Sequence, residues 1–168
     1  TNYPCQGIDF MSNVPLNQFV NGNGQASSSG SNLWGHVDLN TGREYAIMGV
    51  NTGTAVVDVT DAVNPVIVGT VTGMTSLWRE VKVYQYYDVI ADRYKAYAYI
   101  STESSNSLQI IDLNNLPTSV SLAATYNGDF STSHTVYVSG VDRFTNAAMP
   151  GATPALTMNG TNRNSGRF

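Results

Sequence analysis

Short apolar, β-branched runs alternate along this chain with clusters of turn-forming polar residues. The clearest example covers residues 54–70, where one apolar run leads into Asp58, a second begins at Val66, and Asp61 and Asn64 lie between them. β-Branched side chains favour the extended backbone of a strand, and Asp and Asn side chains bond nearby backbone groups in turns. The segment is therefore predicted to form two antiparallel strands joined by a tight turn.

The same pattern recurs at residues 107–122, and two further strand-like runs precede each copy. Each unit is thus predicted to contain four short strands joined by polar turns. An insertion of ten residues within 84–93 is expected to enlarge the first turn of the second unit, which is predicted to cover residues 86–93. The predicted strands cover residues 33–38, 44–50, 54–59 and 66–71 in the first unit and 77–84, 95–101, 108–113 and 120–126 in the second.

The spacing of matching residues supports a repeat. Trp34 and Trp78 are 44 residues apart, whereas Asp58 and Asp112 are 54 apart, and the insertion accounts for the difference of ten. Four short strands in about 40 to 50 residues are typical of a propeller blade. We therefore predict an all-β, β-propeller-like chain whose blades contain four short antiparallel strands, with blade 1 at about 33–73 and blade 2 at about 77–128.

A third unit is predicted at residues 133–168, and it is incomplete. Its first strand aligns residues 133–138 with 78–83, its second covers residues 154–158, and its third would begin at residues 166–168. A half-built blade exposes unpaired strand edges and an apolar face. We therefore expect either that the chain is an N-terminal fragment of a longer protein or that another chain completes the blade.

Residues 1–32 precede the first unit and form a separate region. The apolar side chains Ile8, Phe10, Met11, Val14, Leu16 and Phe19 are expected to dock an extended arm against the larger domain. Residues 21–32 are rich in Gly, Ser and Asn, a composition typical of a flexible linker. A ligand-binding role for this loop is the less favoured alternative.

Composition excludes several classes of function. Only 12% of residues are charged, and the eight Lys and Arg residues are scattered, so nucleic-acid binding is not expected. No apolar run approaches the ~20 residues of a membrane-spanning helix. Cys5 is the only cysteine, which excludes an internal disulfide; it is either a free thiol or half of a bond to residues outside this chain.

Candidate chemistry lies on the first strand of each unit, which lines the central channel of a propeller. The repeat alignment places Arg79 and His134 at one level, and His36 and Glu80 at the next. A His next to a carboxylate can bind a metal or act as a general base. The favoured interpretation is nevertheless that these four polar residues hydrogen-bond strand ends in a narrow channel, because the two histidines lack the local spacing of a zinc motif.

Three further features have both a structural and a functional interpretation. Asp58, Asp61 and Asp112 suggest a calcium site, although carboxylates in such turns more often accept bonds from turn amides. Tyr86 and Tyr87 in the insertion are predicted surface contacts for a protein or glycan. Asn159 opens an Asn-Gly-Thr acceptor triplet for N-glycosylation.

The run Val-Val-Asp-Val-Thr-Asp-Ala-Val-Asn-Pro-Val-Ile-Val-Gly at residues 56–69 resembles the LVIVD repeat of bacterial β-propeller-type proteins. The surrounding motifs resemble the secreted choice-of-anchor B proteins, over most of residues 1–138. The matching motifs are Tyr3-Pro-Cys5, Leu33-Trp-Gly35, residues 41–46 and 53–61, Trp78-Arg-Glu-Val-Lys-Val83 and Ser133-His134. This resemblance implies a propeller exported to the bacterial surface and held there by a variable C-terminal anchor, and it implies no activity.

Three functions follow as hypotheses. The favoured one is a secreted or cell-surface β-propeller that acts as a binding or scaffolding module for a protein or glycan, with no catalytic residues and no cofactor. A second is a structural subunit of an extracellular filament or layer, completed by copies of itself. A third is a metal-assisted hydrolase that uses His36, Arg79, Glu80 and His134. The ligand is not specified by any motif.

Overall fold

The computed structural model describes residues 6–104 and 108–162, and within them the chain is all-β. One 3-10 turn, Leu16–Gln18, precedes the strands. The predictions for Cys5 and for a strand at residues 166–168 lie outside the described residues. The strands are β1 (Gly30–Val37), β2 (Glu44–Val50), β3 (Gly53–Asp58), β4 (Val66–Thr72), β5 (Arg79–Asp88), β6 (Arg93–Thr102), β7 (Leu108–Asp112), β8 (Ser121–Tyr126), β9 (Thr135–Ser139) and β10 (Ala155–Asn159).

These strands form three antiparallel sheets in the order of the chain. Sheet I contains β1-β2-β3-β4, sheet II contains β5-β6-β7-β8, and sheet III pairs β9 with β10. The prediction of an all-β chain with four-stranded antiparallel sheets is therefore confirmed. Strand β1 lies beside β5, and β5 lies beside β9, so the first strands of the three sheets are neighbours. Closure of such sheets into a propeller ring stays a prediction.

The strand register corrects the sequence alignment of the two units. When the units are matched at their shared aspartate, His36 corresponds to Tyr84 and Trp34 corresponds to Lys82. The prediction that Trp34 corresponds to Trp78 is wrong by four residues, because Trp78 lies before β5 begins. The paired positions that fix this correspondence are Asp58–Tyr45–His36 in sheet I and Asp112–Tyr97–Tyr84 in sheet II.

The insertion in the second unit lengthens a ladder instead of enlarging a loop. Residues 85–88 continue β5 and pair with residues 93–96 of β6, which leaves only residues 89–92 as the turn. The prediction of a large turn at residues 86–93 is therefore wrong. Tyr87 and Tyr94 are directly paired, and their rings meet edge to face with centroids 5.2 Å apart. Cross-strand aromatic pairs of this kind stabilise an extended hairpin.

The main apolar core lies between sheets I and II. Each of these two sheets has one aromatic face and one aliphatic face. Successive side chains of a strand point to opposite faces, which assigns each residue to a face. The aromatic face of sheet I packs on the aliphatic face of sheet II. We define the aromatic faces as Trp34, His36, Tyr45 and Ile47 in sheet I and Lys82, Tyr84, Tyr97 and Tyr99 in sheet II. The aliphatic faces are Leu33, Gly35, Ala46 and Met48 in sheet I and Val81, Val83, Ala98 and Ile100 in sheet II.

The N-terminal segment covers part of the aliphatic face of sheet I. Phe19 is 3% exposed and packs in a second apolar cluster with Ala55 and Val57, as the predicted docking arm requires. Ile8 and Phe10, which were expected to dock as well, are 74% and 79% exposed. The prediction of a flexible linker at residues 21–32 missed a set of hydrogen bonds to the β2–β3 turn. These are Asn21 Nδ2 to Thr52 O, Ser27 Oγ with Thr52 Oγ1, and Ser28 N to Asn51 Oδ1.

A buried glutamine joins all three sheets. Gln85 is fully buried, and its amide nitrogen donates to Val37 O at 3.0 Å and to Thr145 O at 2.9 Å. Its carbonyl oxygen accepts from Leu39 N at 3.1 Å. Asn146, in the β9–β10 loop, extends this link by accepting from Trp34 Nε1 at 2.8 Å. The loop is thereby held along the edge of β5 and against β1.

Candidate binding surfaces

The four residues predicted at the channel have separate environments. His36 is 2% exposed and lies on the aromatic face of sheet I, with its ring stacked on Tyr45 at 6.2 Å. Within the described chain, neither ring nitrogen of His36 has a hydrogen-bond partner. Burial lowers the pKa of His36 from 6.5 to about 4, and the charge of Asp38 only partly opposes that shift. His36 is therefore a neutral core residue near pH 7.

Burial of neutral His36 is expected to make the chain less stable in acid. Between about pH 6.5 and pH 4 the unfolded chain binds a proton that the folded chain does not, so the free energy of unfolding falls as pH falls. We expect a loss of up to about 3 kcal/mol, since one pKa unit corresponds to about 1.4 kcal/mol. Urea titrations at several pH values measure it, and His36→Phe should remove this part of the pH dependence. An unchanged dependence in His36→Phe would show that another group causes it.

Arg79 is fully buried in a backbone cage. Its Nε donates to Val50 O at 3.0 Å, and Nη2 donates to Met74 O. Burial lowers its pKa to about 10, and the structure gives it no ion pair with a described carboxylate. Glu80, the next residue along the strand, pairs instead with Lys82, whose ammonium lies 3.9 Å from the centre of the Trp34 ring.

His134 is the only one of the four predicted residues whose side chain is largely exposed. Its ring stacks on Trp78 at 4.6 Å with an interplanar angle of 3°, and Nδ1 lies 2.6 Å from Glu103 Oε1. Trp78 Nε1 also donates to His134 O at 2.6 Å. The four residues thus have different hydrogen-bond and ion-pair partners. Within the described residues, the structure shows no direct bond between His36 and Glu80 or between Arg79 and His134.

The aspartates considered for calcium accept bonds from their own turns. Asp61 Oδ1 accepts from Val63 N at 3.0 Å, and Asp112 Oδ1 accepts from Asn114 N at 2.7 Å. Asp58 accepts from Thr60 N and also pairs with Arg43 at 2.6 Å. In residues 6–104 and 108–162, no three His, Cys, Asp or Glu side chains come together as a metal site.

The extended β5–β6 hairpin ends in an exposed apolar tip. Val89 is 81% exposed, Ile90 is 95% exposed, and Tyr87 at their base is 48% exposed. We call these three residues the hairpin tip. Tyr87 was predicted as a surface contact, whereas Tyr86 stacks on Tyr84 at 5.5 Å and is half-buried. The two exposed aliphatic residues were missed, although an apolar pair between Asp88 and Asp92 is itself a signal for an exposed turn.

Polar contacts hold the hairpin tip in place. Asp88 Oδ1 accepts from Ile90 N at 3.0 Å, and its other oxygen pairs with Lys95 Nζ at 2.6 Å. The hydrogen bond from Lys95 keeps the pKa of Asp88 below its usual value, so this pair persists through the neutral range. Asn40, in the β1–β2 turn, makes two hydrogen bonds with the backbone of Tyr94. Tyr94 N donates to Asn40 Oδ1, and Asn40 Nδ2 donates to Tyr94 O. The hairpin is therefore tied to sheet I below its tip.

An open cleft of about 450 Å³ lies on the aliphatic face of sheet I, over β1 and β2. Its floor is Gly35 and Ala46, and nothing stands within 4 Å of the place that a Gly35 side chain would take. Phe144, which is 68% exposed, forms one wall, and Arg143 lies beside it with its guanidinium 4.5 Å from the Phe144 ring centre. No sequence pattern marks this cleft, because one of its walls comes from a loop that lies about a hundred residues from β1 in the chain.

Asn159 ends β10 and is exposed, and its backbone oxygen accepts from His134 N at 3.0 Å. Glycosylation there stays a prediction.

Among the described residues, no helix is long and apolar enough to cross a membrane. Comparison of the chain with protein-family models, with curated proteins and with solved structures finds no match.

Proposed function

We propose that this chain is a binding module of an extracellular, cell-surface β-propeller and that the hairpin tip is its contact with a protein partner. The single observation that carries this proposal is the near-complete exposure of Val89 and Ile90 on a hairpin whose base is fixed. Exposed aliphatic side chains contribute little to the stability of the fold, whereas a preorganised apolar contact reduces the entropy lost on binding.

A protein fits this tip better than a glycan does. The tip is convex and apolar, and its flanks carry two acids and two bases, Asp88, Asp92, Arg93 and Lys95. An apolar centre surrounded by polar groups is the usual arrangement at protein–protein contacts. The separate environments of His36, Arg79, Glu80 and His134 favour binding over the hydrolase hypothesis.

The propeller and its location rest on indirect support. Two four-stranded sheets that stack face to face, with their first strands adjacent, are arranged as neighbouring blades would be. A low charged fraction, abundant hydroxyl and amide side chains, and the resemblance to choice-of-anchor B proteins favour a secreted protein on the bacterial surface.

Site-specific photo-crosslinking tests this proposal. A photoreactive residue at position 90, in the full chain, is expected to capture a discrete protein from the extracellular fraction of the source culture. The matched control carries the same group at Val63, a β-branched residue of the β3–β4 turn that is 54% exposed. Excess unlabelled wild type should compete, and excess Val89→Ser/Ile90→Ser variant should not. Equal capture from both positions, or competition by both proteins, would contradict the proposal.

A further inference from the structure

The chain contains four Asn-Gly pairs, Asn21-Gly22, Asn23-Gly24, Asn127-Gly128 and Asn159-Gly160. In such a pair the backbone nitrogen of the glycine can attack the side-chain amide carbon of the asparagine, because glycine has no Cβ to obstruct the approach. The attack needs a backbone nitrogen that is not held in a hydrogen bond and an asparagine that can rotate toward it. The four pairs have the same two residues, so the fold decides which of them reacts.

The fold protects the two pairs of the N-terminal segment. Asn21 is 4% exposed, and its side-chain nitrogen donates to Thr52 O at 3.1 Å. Gly22 N donates to Thr72 Oγ1 at 3.0 Å, and Gly24 N donates to Asn21 O at 2.9 Å. Both attacking nitrogens are therefore engaged, and each reacts only after the fold opens locally.

The pair Asn159-Gly160 is held at the end of a strand. Asn159 pairs with Thr135, and its backbone oxygen accepts from His134 N at 3.0 Å and from Ser133 Oγ at 3.1 Å. These two bonds fix the peptide group between Asn159 and Gly160. The strand also keeps the backbone of Asn159 extended, so its side chain leaves the sheet on one face while Gly160 N continues along the chain.

Asn127-Gly128 has neither kind of protection. The pair follows β8 directly, and both of its residues are exposed. Within residues 6–104 and 108–162, no hydrogen bond includes Gly128 N, the backbone oxygen of Asn127 or the side chain of Asn127. The nitrogen and the amide carbon that react are thus both free to approach each other without loss of a bond.

We propose that Asn127 is a site of spontaneous deamidation in the folded protein. Gly128 N loses its proton to solvent base and forms a bond to Asn127 Cγ, and the side-chain nitrogen leaves as ammonia. Water then opens the resulting succinimide at either carbonyl, which gives aspartate or isoaspartate at position 127. The product adds a negative charge to the connection between β8 and β9, which joins sheet II to sheet III.

Peptide mass spectrometry after incubation of the folded full chain at mildly alkaline pH tests this proposal, which is independent of the hairpin tip. Trypsin cleaves after Lys95 and Arg143, so Asn127 lies in a different peptide from the other three pairs. We expect the mass gain of amide-to-carboxylate conversion first in that peptide, and fragmentation should place it at Asn127. Its rate should rise with pH, because the attacking nitrogen must lose a proton. A sample digested without incubation corrects for conversion during digestion.

One variant and one solvent condition provide the controls. Asn127→Gln should abolish the early conversion, because a glutamine side chain must close a larger and less favourable ring. In urea all four pairs should convert at similar rates, because the bonds that protect the other three pairs are lost. Three results would overturn the proposal: an Asn127 that stays unmodified in the folded chain, another pair that converts as fast there, or the same order of conversion in urea.

Discussion

Replacing Gly53 with alanine is expected to lower the free energy of unfolding by roughly 4 kcal/mol or more, the range of severe backbone clashes. Gly53 begins β3 with φ at +156°, and an added Cβ would lie 2.0 Å from Val71 O and 3.0 Å from Val71 C. Both atoms belong to the backbone of the paired strand, so they cannot move without breaking the β3–β4 ladder. Urea denaturation followed by circular dichroism measures the change.

Gly42→Ala is the matched control for this substitution. Gly42 also has a positive φ, +71°, in the β1–β2 turn, but no atom lies within 4 Å of its Cβ position. Only the left-handed backbone opposes a side chain there, at a cost of about 1 kcal/mol. If both substitutions cost the same, the close approach of β3 and β4 at Gly53 is not the cause.

Replacing Gln85 with leucine is the second large effect, and a loss of about 4 kcal/mol is expected. Leucine has a similar volume, but Leu39 N loses its acceptor, and Val37 O and Thr145 O lose a donor. Each buried group left without a partner costs about 1 to 3 kcal/mol. Hydrogen exchange at Ala148 N, which donates to Gln85 O, should also accelerate, because the β9–β10 loop loses its fixation.

Gln109→Leu provides the comparison for the glutamine. Gln109 is 5% exposed, but its side chain makes only one hydrogen bond, from Nε2 to Thr72 O at 3.0 Å, and its oxygen has no partner in the described chain. Its replacement should cost about 1 to 2 kcal/mol. Equal losses at positions 85 and 109 would show that Gln85 has no special role in joining the sheets.

Local sequence signals predicted the four-stranded pattern and the turns that contain aspartate. The apolar run that leads to Asp58 forms β3, and Asp58, Asp61 and Asp112 accept bonds from backbone N–H groups just after them, as their turn chemistry implies. These features depend on residues a few positions apart, so a sequence pattern contains them. The four-stranded sheets followed from the same local periodicity.

Features that depend on distant residues were missed or misplaced. The equal appearance of Trp34 and Trp78 suggested a register that the ladders contradict, because only one of the two lies in a strand. No local pattern marks Gln85 as a link between the sheets, since its partner Thr145 lies 60 residues away. The cleft over Gly35 likewise needs Phe144 as a wall. Long-range contacts of this kind leave no periodic signal in one sequence.

Isothermal titration of the partner captured at position 90 tests the proposed binding role most directly. We expect the Val89→Ser/Ile90→Ser variant to bind at least about 30-fold more weakly than wild type, as loss of a central apolar contact implies. Its unfolding free energy should stay within about 0.5 kcal/mol of wild type, because both side chains are exposed. The control Val63→Ser/Val66→Ser should bind as wild type does. Unchanged affinity in the tip variant, or an equal loss in the control, would contradict a binding role for the hairpin tip.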